Sequence, residues 1–190
     1  MKVTSGLKKG TILFTKDDLS VRPTADKIKQ SIFNSIQFEI EGREVLDLFS
    51  GTGALGIEAL SRSADFCTFV DKDTLTTEKN IKKVSFSEKS SIVKSDYIIF
   101  LSKTKQKYSL VFLDPPYKNG YIDKALLVMD ENNLLTHDAI IILECDVSET
   151  VIIPPSYKIR KESVYGRVRI YILSRKEDGQ YENSNISGQL

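Results

Sequence analysis

One stretch restricts the fold more than any other. Asp47-Leu48-Phe49-Ser50-Gly51-Thr52-Gly53-Ala54-Leu55-Gly56 carries an apolar run of strand length straight into a helical pattern, with Gly51, Gly53 and Gly56 spaced G-x-G-x-x-G across the junction. Glycines at that spacing let the backbone turn tightly and approach a ligand at a helix N-terminus, and the context expected for them is a β-turn-α unit. Many α/β turns carry two or three glycines for packing alone, so the loop needs support from its surroundings.

The surroundings repeat the rhythm. Apolar runs at 45–49, 66–70, 91–94, 110–113 and 139–144 alternate with helical patterns near 54–62, 75–84, 97–103 and 122–131, as in α/β folds. Ile140-Ile141-Ile142-Leu143 does not alternate, as expected of a parallel strand covered on both faces. Runs at 157–165 and 168–173, separated by Gly166-Arg167, predict an antiparallel hairpin at one sheet edge. Before the glycine loop, Lys2-Val3-Thr4 and Thr11-Ile12-Leu13-Phe14 flank a Gly-bounded, Lys-rich turn and predict a small hairpin, and Ile28, Ile32, Phe33 and Ile36 share one helical face after Pro23. The expected division is an N-terminal hairpin and helix over 1–40, a main domain over 41–175 and a frayed tail over 176–190.

At 190 residues, with 41% hydrophobic and 28% charged, the chain suits a globular domain with a proper core. It has no apolar run of membrane-spanning length and no secretory leader pattern, and two cysteines are too few for a disulfide framework or a four-ligand zinc site. A cytoplasmic monomer with reduced thiols, no bound metal and no membrane association is expected. The net charge of +1 hides a partition. Residues 1–30 hold seven Lys/Arg against three Asp/Glu, 31–154 hold 13 against 19, and 155–175 hold six against one. Basic ends around an acidic middle suit a polyanion such as nucleic acid, although solvated charge alone gives the same numbers.

Acids at the strand ends narrow the ligand. Asp71 ends the second strand 20 residues after Gly51, where it can accept ribose hydroxyls in either an adenosyl or a nicotinamide cofactor. Asp47, just before the loop, would repel a pyrophosphate but suits the ammonium of an amino-acid-like cofactor. Asp96, after the third strand, can accept an adenine amine or cap a helix. Three acids and no Lys or Arg inside the loop favour a cationic adenosyl cofactor.

At the end of the fourth strand stands Asp114-Pro115-Pro116-Tyr117. Two prolines stiffen the turn and remove two N–H donors, leaving the Asp114 carboxylate and the Pro115 carbonyl as acceptors beside an aromatic ring. Those parts suit an exocyclic NH2 on a flat base, with Tyr117 stacking on it.

On these residues the chain resembles the class I S-adenosylmethionine-dependent methyltransferases with an (Asn/Asp)-Pro-Pro-(Tyr/Phe) motif, and among them the 16S rRNA guanine-N2 methyltransferases of the RsmD type. The resemblance covers about residues 1–175 and rests on Leu19 to Thr24 with Asp26, Phe33-Asn34, Asp47 to Arg62, Phe69 to Asp73, Asn80, Asp96, Asp114 to Tyr117, Glu144 and Tyr165-Gly166. It implies a Rossmann-like, mostly parallel seven-stranded sheet with an antiparallel C-terminal hairpin. It further implies that Asp47, Gly51, Gly53, Asp71 and Asp96 hold S-adenosyl-L-methionine, and that Asp114, Pro115, Pro116 and Tyr117 hold the target base. The partner is then 16S rRNA or a small-subunit particle, met by Lys2, Lys8, Lys9 and Arg22. Lys29-Gln30 stands where the family usually has Arg-Glu, and Lys2, Lys8 and Lys9 stand for an arginine-rich hairpin; lysine keeps the charge but not the planar fork.

Competing readings are the same chemistry on an adenine or cytosine amine of DNA or another RNA, a non-catalytic RNA-binding protein, and a nicotinamide-dependent oxidoreductase. The last two leave Asp-Pro-Pro-Tyr unexplained. His137, the only histidine, is placed in a polar loop and given no role. Cys67 is expected to be a buried apolar residue, and Cys145 lacks the Pro-Cys setting of carbon-5 cytosine methylation.

Overall fold

The computed structural model describes residues 1–15, 23–116 and 120–176; the side chains of 23–25 are outside that set. Arg22, Tyr117 and the expected tail beyond Lys176 therefore lie outside the described residues. The elements in chain order are α1 (Pro23–Ser35), β1 (Glu44–Leu48), α2 (Ala54–Ser61), β2 (Phe66–Asp71), α3 (Leu75–Val84), β3 (Ser90–Lys94), α4 (Tyr97–Lys103), β4 (Tyr108–Leu113), α5 (Tyr121–Glu131), β5 (Leu135–Asp146), β6 (Tyr157–Tyr165) and β7 (Val168–Arg175). The strands form one seven-stranded sheet in the order β3-β2-β1-β4-β5-β7-β6. Pairs among β1 to β5 are parallel, and β7 pairs antiparallel with both β5 and β6. The α/β class, the mostly parallel sheet and the closing hairpin are as expected.

The chain winds outward from β1 to β3, then returns to place β4 on the other side of β1. That reversal opens a crevice at the carboxyl ends of β1 and β4, the position where open α/β sheets bind ligands. The register sets Asp47 opposite Phe112 and Leu48 opposite Leu113, so the Phe49 loop and Asp114 leave the sheet at the same level.

Helices cover both faces, and each face has its own core. One contains Phe33, Ile36, Ile57, Leu60, Phe69 and Phe112; the other contains Leu46, Leu101, Tyr108, Val111, Leu126 and Leu143. β4 is buried throughout, which is why its sequence shows no alternation. The first core also contains Val3 and Leu13 from the N-terminal arm.

Local differences from the sequence reading have identifiable causes. The arm pairs through a single bridge, Lys2 to Ile12, because a 3₁₀ turn at Gly6–Lys8 and Gly10 take up the chain between. β5 begins at Leu135, so His137 sits on an exposed stretch of strand rather than in a loop. Phe49, expected to finish β1, leaves it with φ of 71°, a left-handed conformation that costs a bulky residue about 1–3 kcal/mol.

Candidate active site

The glycine loop divides its labour. Gly51 and Gly53 take positive φ, 54° and 76°, and carry the chain around the turn. Gly56 serves packing: a Cβ there would stand 2.4 Å from Phe69 Cε1 and 2.6 Å from Cys67 Sγ, so only glycine lets α2 lie against β2. The loop is tied from three sides. Asp71 Oδ2 accepts from the Gly51 amide at 2.8 Å, Thr77 Oγ1 donates to the Gly51 carbonyl at 3.1 Å, and Asn80 Nδ2 donates to the Thr52 carbonyl at 2.9 Å.

Each acid has a defined role in holding the backbone. Asp71 accepts through its other oxygen from the Asp73 amide at 2.9 Å. Asp47 is buried and accepts from the Gly56 amide at 2.9 Å; burial, with the Asp71 carboxylate nearby, lifts its pKa to about 7 against that hydrogen bond. Asp96 is the N-cap of α4, accepting from the Ile98 amide at 2.9 Å, and pairs with Lys72 Nζ at 3.0 Å. These hydrogen bonds and the ion pair pull Asp96 below the ordinary carboxylate range, the Lys72 contact most of all. Capping and ligand binding were the alternatives for Asp96; capping is occupied, and one of its oxygens is shared with Lys72.

Two adjoining hollows fill the crevice. One, of about 500 Å³, is lined by Phe49, Gly51, Asp71, Lys72, Ser95, Tyr97, Asp114, Pro115, Pro116 and Tyr121. The aromatic wall is a packed set: Phe49 lies 4.9 Å from Tyr97 and 5.7 Å from Tyr121, and the two tyrosines meet edge to face at 5.4 Å. The strained Phe49 backbone places that ring between the hollows. The other, of about 620 Å³, runs past Asp47, Ser50, Leu55, Asp114 and Glu144 to Tyr165 and Arg167. Volumes of this size suit a cofactor and a base.

Asp114 borders both hollows and faces the open cleft. Desolvation by the surrounding walls, then the Glu144 and Asp47 carboxylates, push its pKa well above the ordinary range. Cys145 and Cys67 are both buried thiols, and burial pushes Cys145 up to about 11. Among the described residues no cluster of three or more His, Cys, Asp or Glu is suited to a metal. Sequence reasoning missed Phe49, Ser95, Tyr97 and Tyr121. An aromatic residue just after a strand's carboxyl end, or opening the following helix, is the signal that would have found Phe49, Tyr97 and Tyr121; nothing in the sequence marked Ser95.

The RNA-facing candidates sit apart from this cleft, on the N-terminal arm. Lys2 and Lys9 are exposed; Lys8 is half-buried, its Nζ 5.6 Å from the Phe86 ring centre. Glu58 of α2 anchors the arm, accepting from the Thr4 amide at 2.8 Å, the Thr4 hydroxyl at 2.6 Å and the Ser5 amide at 3.0 Å. Lys29 and Arg62 each pair with Glu58 at 2.9 Å. Lys29, which stands where the family usually has Arg, is thus buried as an internal counter-ion.

A doubly wound α/β sheet with a glycine loop, acids at the strand ends and a proline-stiffened wall defines a class of nucleotide-cofactor enzymes with the methyltransferase architecture. The chain belongs to the family described as conserved hypothetical protein 95, whose model matches residues 1–174. YlbH of Bacillus subtilis is 40% identical over 152 residues, 77% of this chain and 83% of YlbH. The ribosomal RNA small subunit methyltransferase D of Haemophilus influenzae is 32% identical over 179 residues, covering 90% of this chain and 93% of its own. Among solved structures, yhhF of Escherichia coli superposes with a TM-score of 0.83 at 26% identity, over 93% of this chain and 98% of its own.

Proposed function

We propose that this chain transfers a methyl group from S-adenosyl-L-methionine to the exocyclic N2 of a guanine in 16S ribosomal RNA. The observation that carries the reading is Asp114-Pro115-Pro116 walling the same crevice as Asp71 and the glycine loop. The names of relatives that act on small-subunit rRNA support the substrate class.

The donor set suits the cofactor. Asp71 faces the aromatic hollow, where a ribose can bind while Phe49, Tyr97 and Tyr121 flank a flat adenine. Asp47, ionised, complements an ammonium. When bound, the cofactor supplies an electrophilic methyl on a sulfonium. The chain's own contribution is orientation. Guanine N2 is a poor nucleophile because its lone pair is delocalised into the ring. Asp114 and the Pro115 carbonyl accept its two hydrogens and turn the lone pair toward the methyl. Asp114, at the edge of both hollows with the Glu144 and Asp47 carboxylates nearby, can take the proton released as the new C–N bond forms. The guanine must leave its stack to reach this wall. Carbon-5 attack by a thiolate is disfavoured, since burial keeps the Cys145 thiol protonated.

Incubation with methyl-labelled S-adenosylmethionine and small-subunit particles, followed by nucleoside mass spectrometry, tests this. N2-methylguanosine is expected; N6-methyladenosine or N4-methylcytidine would transfer the same chemistry to another base.

A further inference from the structure

Phe14 is held with unusual firmness and yet kept out of the core. Its amide donates to Asn80 Oδ1 at 2.8 Å, and its carbonyl accepts from Asn80 Nδ2 at 3.0 Å. Asn80 is fully buried, so both its amide atoms are committed to backbone, and the same Nδ2 reaches the Thr52 carbonyl of the glycine loop. The Phe14 side chain is nonetheless 50% exposed, and Ile12, two residues earlier on the same face, is 67% exposed. Leu13 between them is buried, as strand alternation requires. An aromatic ring fixed by its backbone and turned outward contributes little to the fold.

Among the described residues, the charges nearest it are mostly lysines. Lys83 Nζ stands 4.3 Å from the centre of the Phe14 ring. Lys79 lies one helical turn before Lys83 on α3, both exposed, a like-charge i, i+4 pair that weakens a helix slightly. Lys82 is exposed beside them, and Lys2 is the exposed cross-strand partner of Ile12. The acid on this helix, Glu78, is engaged by the Thr74 hydroxyl at 2.7 Å.

We propose that Phe14, with Ile12, is a stacking platform for an unpaired RNA base, and that Lys2, Lys79, Lys82 and Lys83 hold the flanking phosphates. The partner is single-stranded RNA because apolar platforms flanked by lysines match alternating bases and phosphates. This surface lies outside the cleft and extends the proposed RNA reading beyond the hairpin lysines. It places RNA on the side of the glycine loop where Asn80 joins the two.

The chain has no tryptophan, so Phe14→Trp introduces a single reporter. Titration with a mixed-sequence 12-nucleotide RNA is expected to quench that fluorescence, while heparin, a polyanion without bases, binds without comparable quenching. Phe14→Ala should weaken binding of the same RNA about tenfold or more, in line with about 1–3 kcal/mol per stacked base. S-adenosylhomocysteine affinity should not change with either substitution. RNA binding that leaves the fluorescence unaltered, or equal quenching by heparin, overturns the platform while leaving the RNA reading intact. Failure of the unsubstituted protein to bind RNA in any form overturns both.

Discussion

The Gly56 amide donates to a buried Asp47 carboxyl at 2.9 Å, joining the end of the first sheet strand to the first turn of the helix that follows. Its position makes Asp47 sensitive to pH. Burial lifts its pKa to about 7, against an unfolded value near 3.9. The folded state therefore binds the extra proton between about pH 4 and 7. Asp47's contribution to stability is full below pH 4 and is lost as pH rises through about 7. Cofactor affinity should run the other way, rising across about pH 7 as the carboxylate forms. Asp47→Asn should flatten both slopes, read by denaturant unfolding and by calorimetry with S-adenosylhomocysteine.

Asp71 supports the loop as well as facing the cleft. Replacing it with Ala removes acceptors for the Gly51 and Asp73 amides together with the proposed ribose contacts. A tenfold to hundredfold loss of S-adenosylhomocysteine affinity is expected, since hydrogen bonds to a charged acceptor are worth about 1.5–3 kcal/mol. Calorimetry decides it, and tight NADH binding in place of the adenosyl ligand would redirect the cofactor assignment.

Asp114 belongs to the base side of the crevice. Asp114→Ala should lower the single-turnover rate about a hundredfold or more while leaving cofactor affinity nearly unchanged, because it removes orientation rather than ground-state cofactor binding. Tyr117→Ala is expected to act in the same way. A wild-type rate in either variant would remove that residue from the mechanism.

Glu58 offers a test of stability away from chemistry. Burial alone would raise its pKa, but Lys29 and the Thr4 donors together hold it below the ordinary value. Glu58→Ala strands the buried Lys29 ammonium without its counter-ion and releases both Thr4 and Ser5. A destabilisation of about 3–5 kcal/mol is expected in urea unfolding. A double change with Lys29→Met should recover part of it if the unpaired charge is the main cost.

These residues also mark what a sequence can convey. The sheet, the glycine loop and the Asp114-Pro115-Pro116 turn at the cleft were legible because periodicity and turn chemistry are local properties. The Phe49, Tyr97 and Tyr121 wall was not, since those residues, which follow β1, β3 and β4, meet only once the sheet is assembled. The anchoring roles of Asn80 and Glu58 were hidden for a related reason. Their partners lie 66 and 54 residues away, and nothing in a helical pattern distinguishes an amide or carboxylate that faces solvent from one that anchors an arm.

The hairpin lysines give the last prediction, which concerns the substrate. Lys9 is exposed, and Lys8 is half-buried with its ammonium toward the Phe86 ring. If they neutralise phosphates, Lys8→Glu with Lys9→Glu should raise the RNA dissociation constant and flatten its dependence on salt, because fewer counterions are released on binding. Cofactor affinity should stay constant, since neither Lys8 nor Lys9 lines either hollow. In cells lacking the protein, one N2-methylguanine should vanish from 16S rRNA and return with the wild-type chain but not with Asp114→Ala. Mass spectrometry of nuclease fragments locates the position. An unchanged rRNA pattern, with a methyl group lost from DNA or another RNA, would keep the chemistry of the crevice and move its substrate elsewhere.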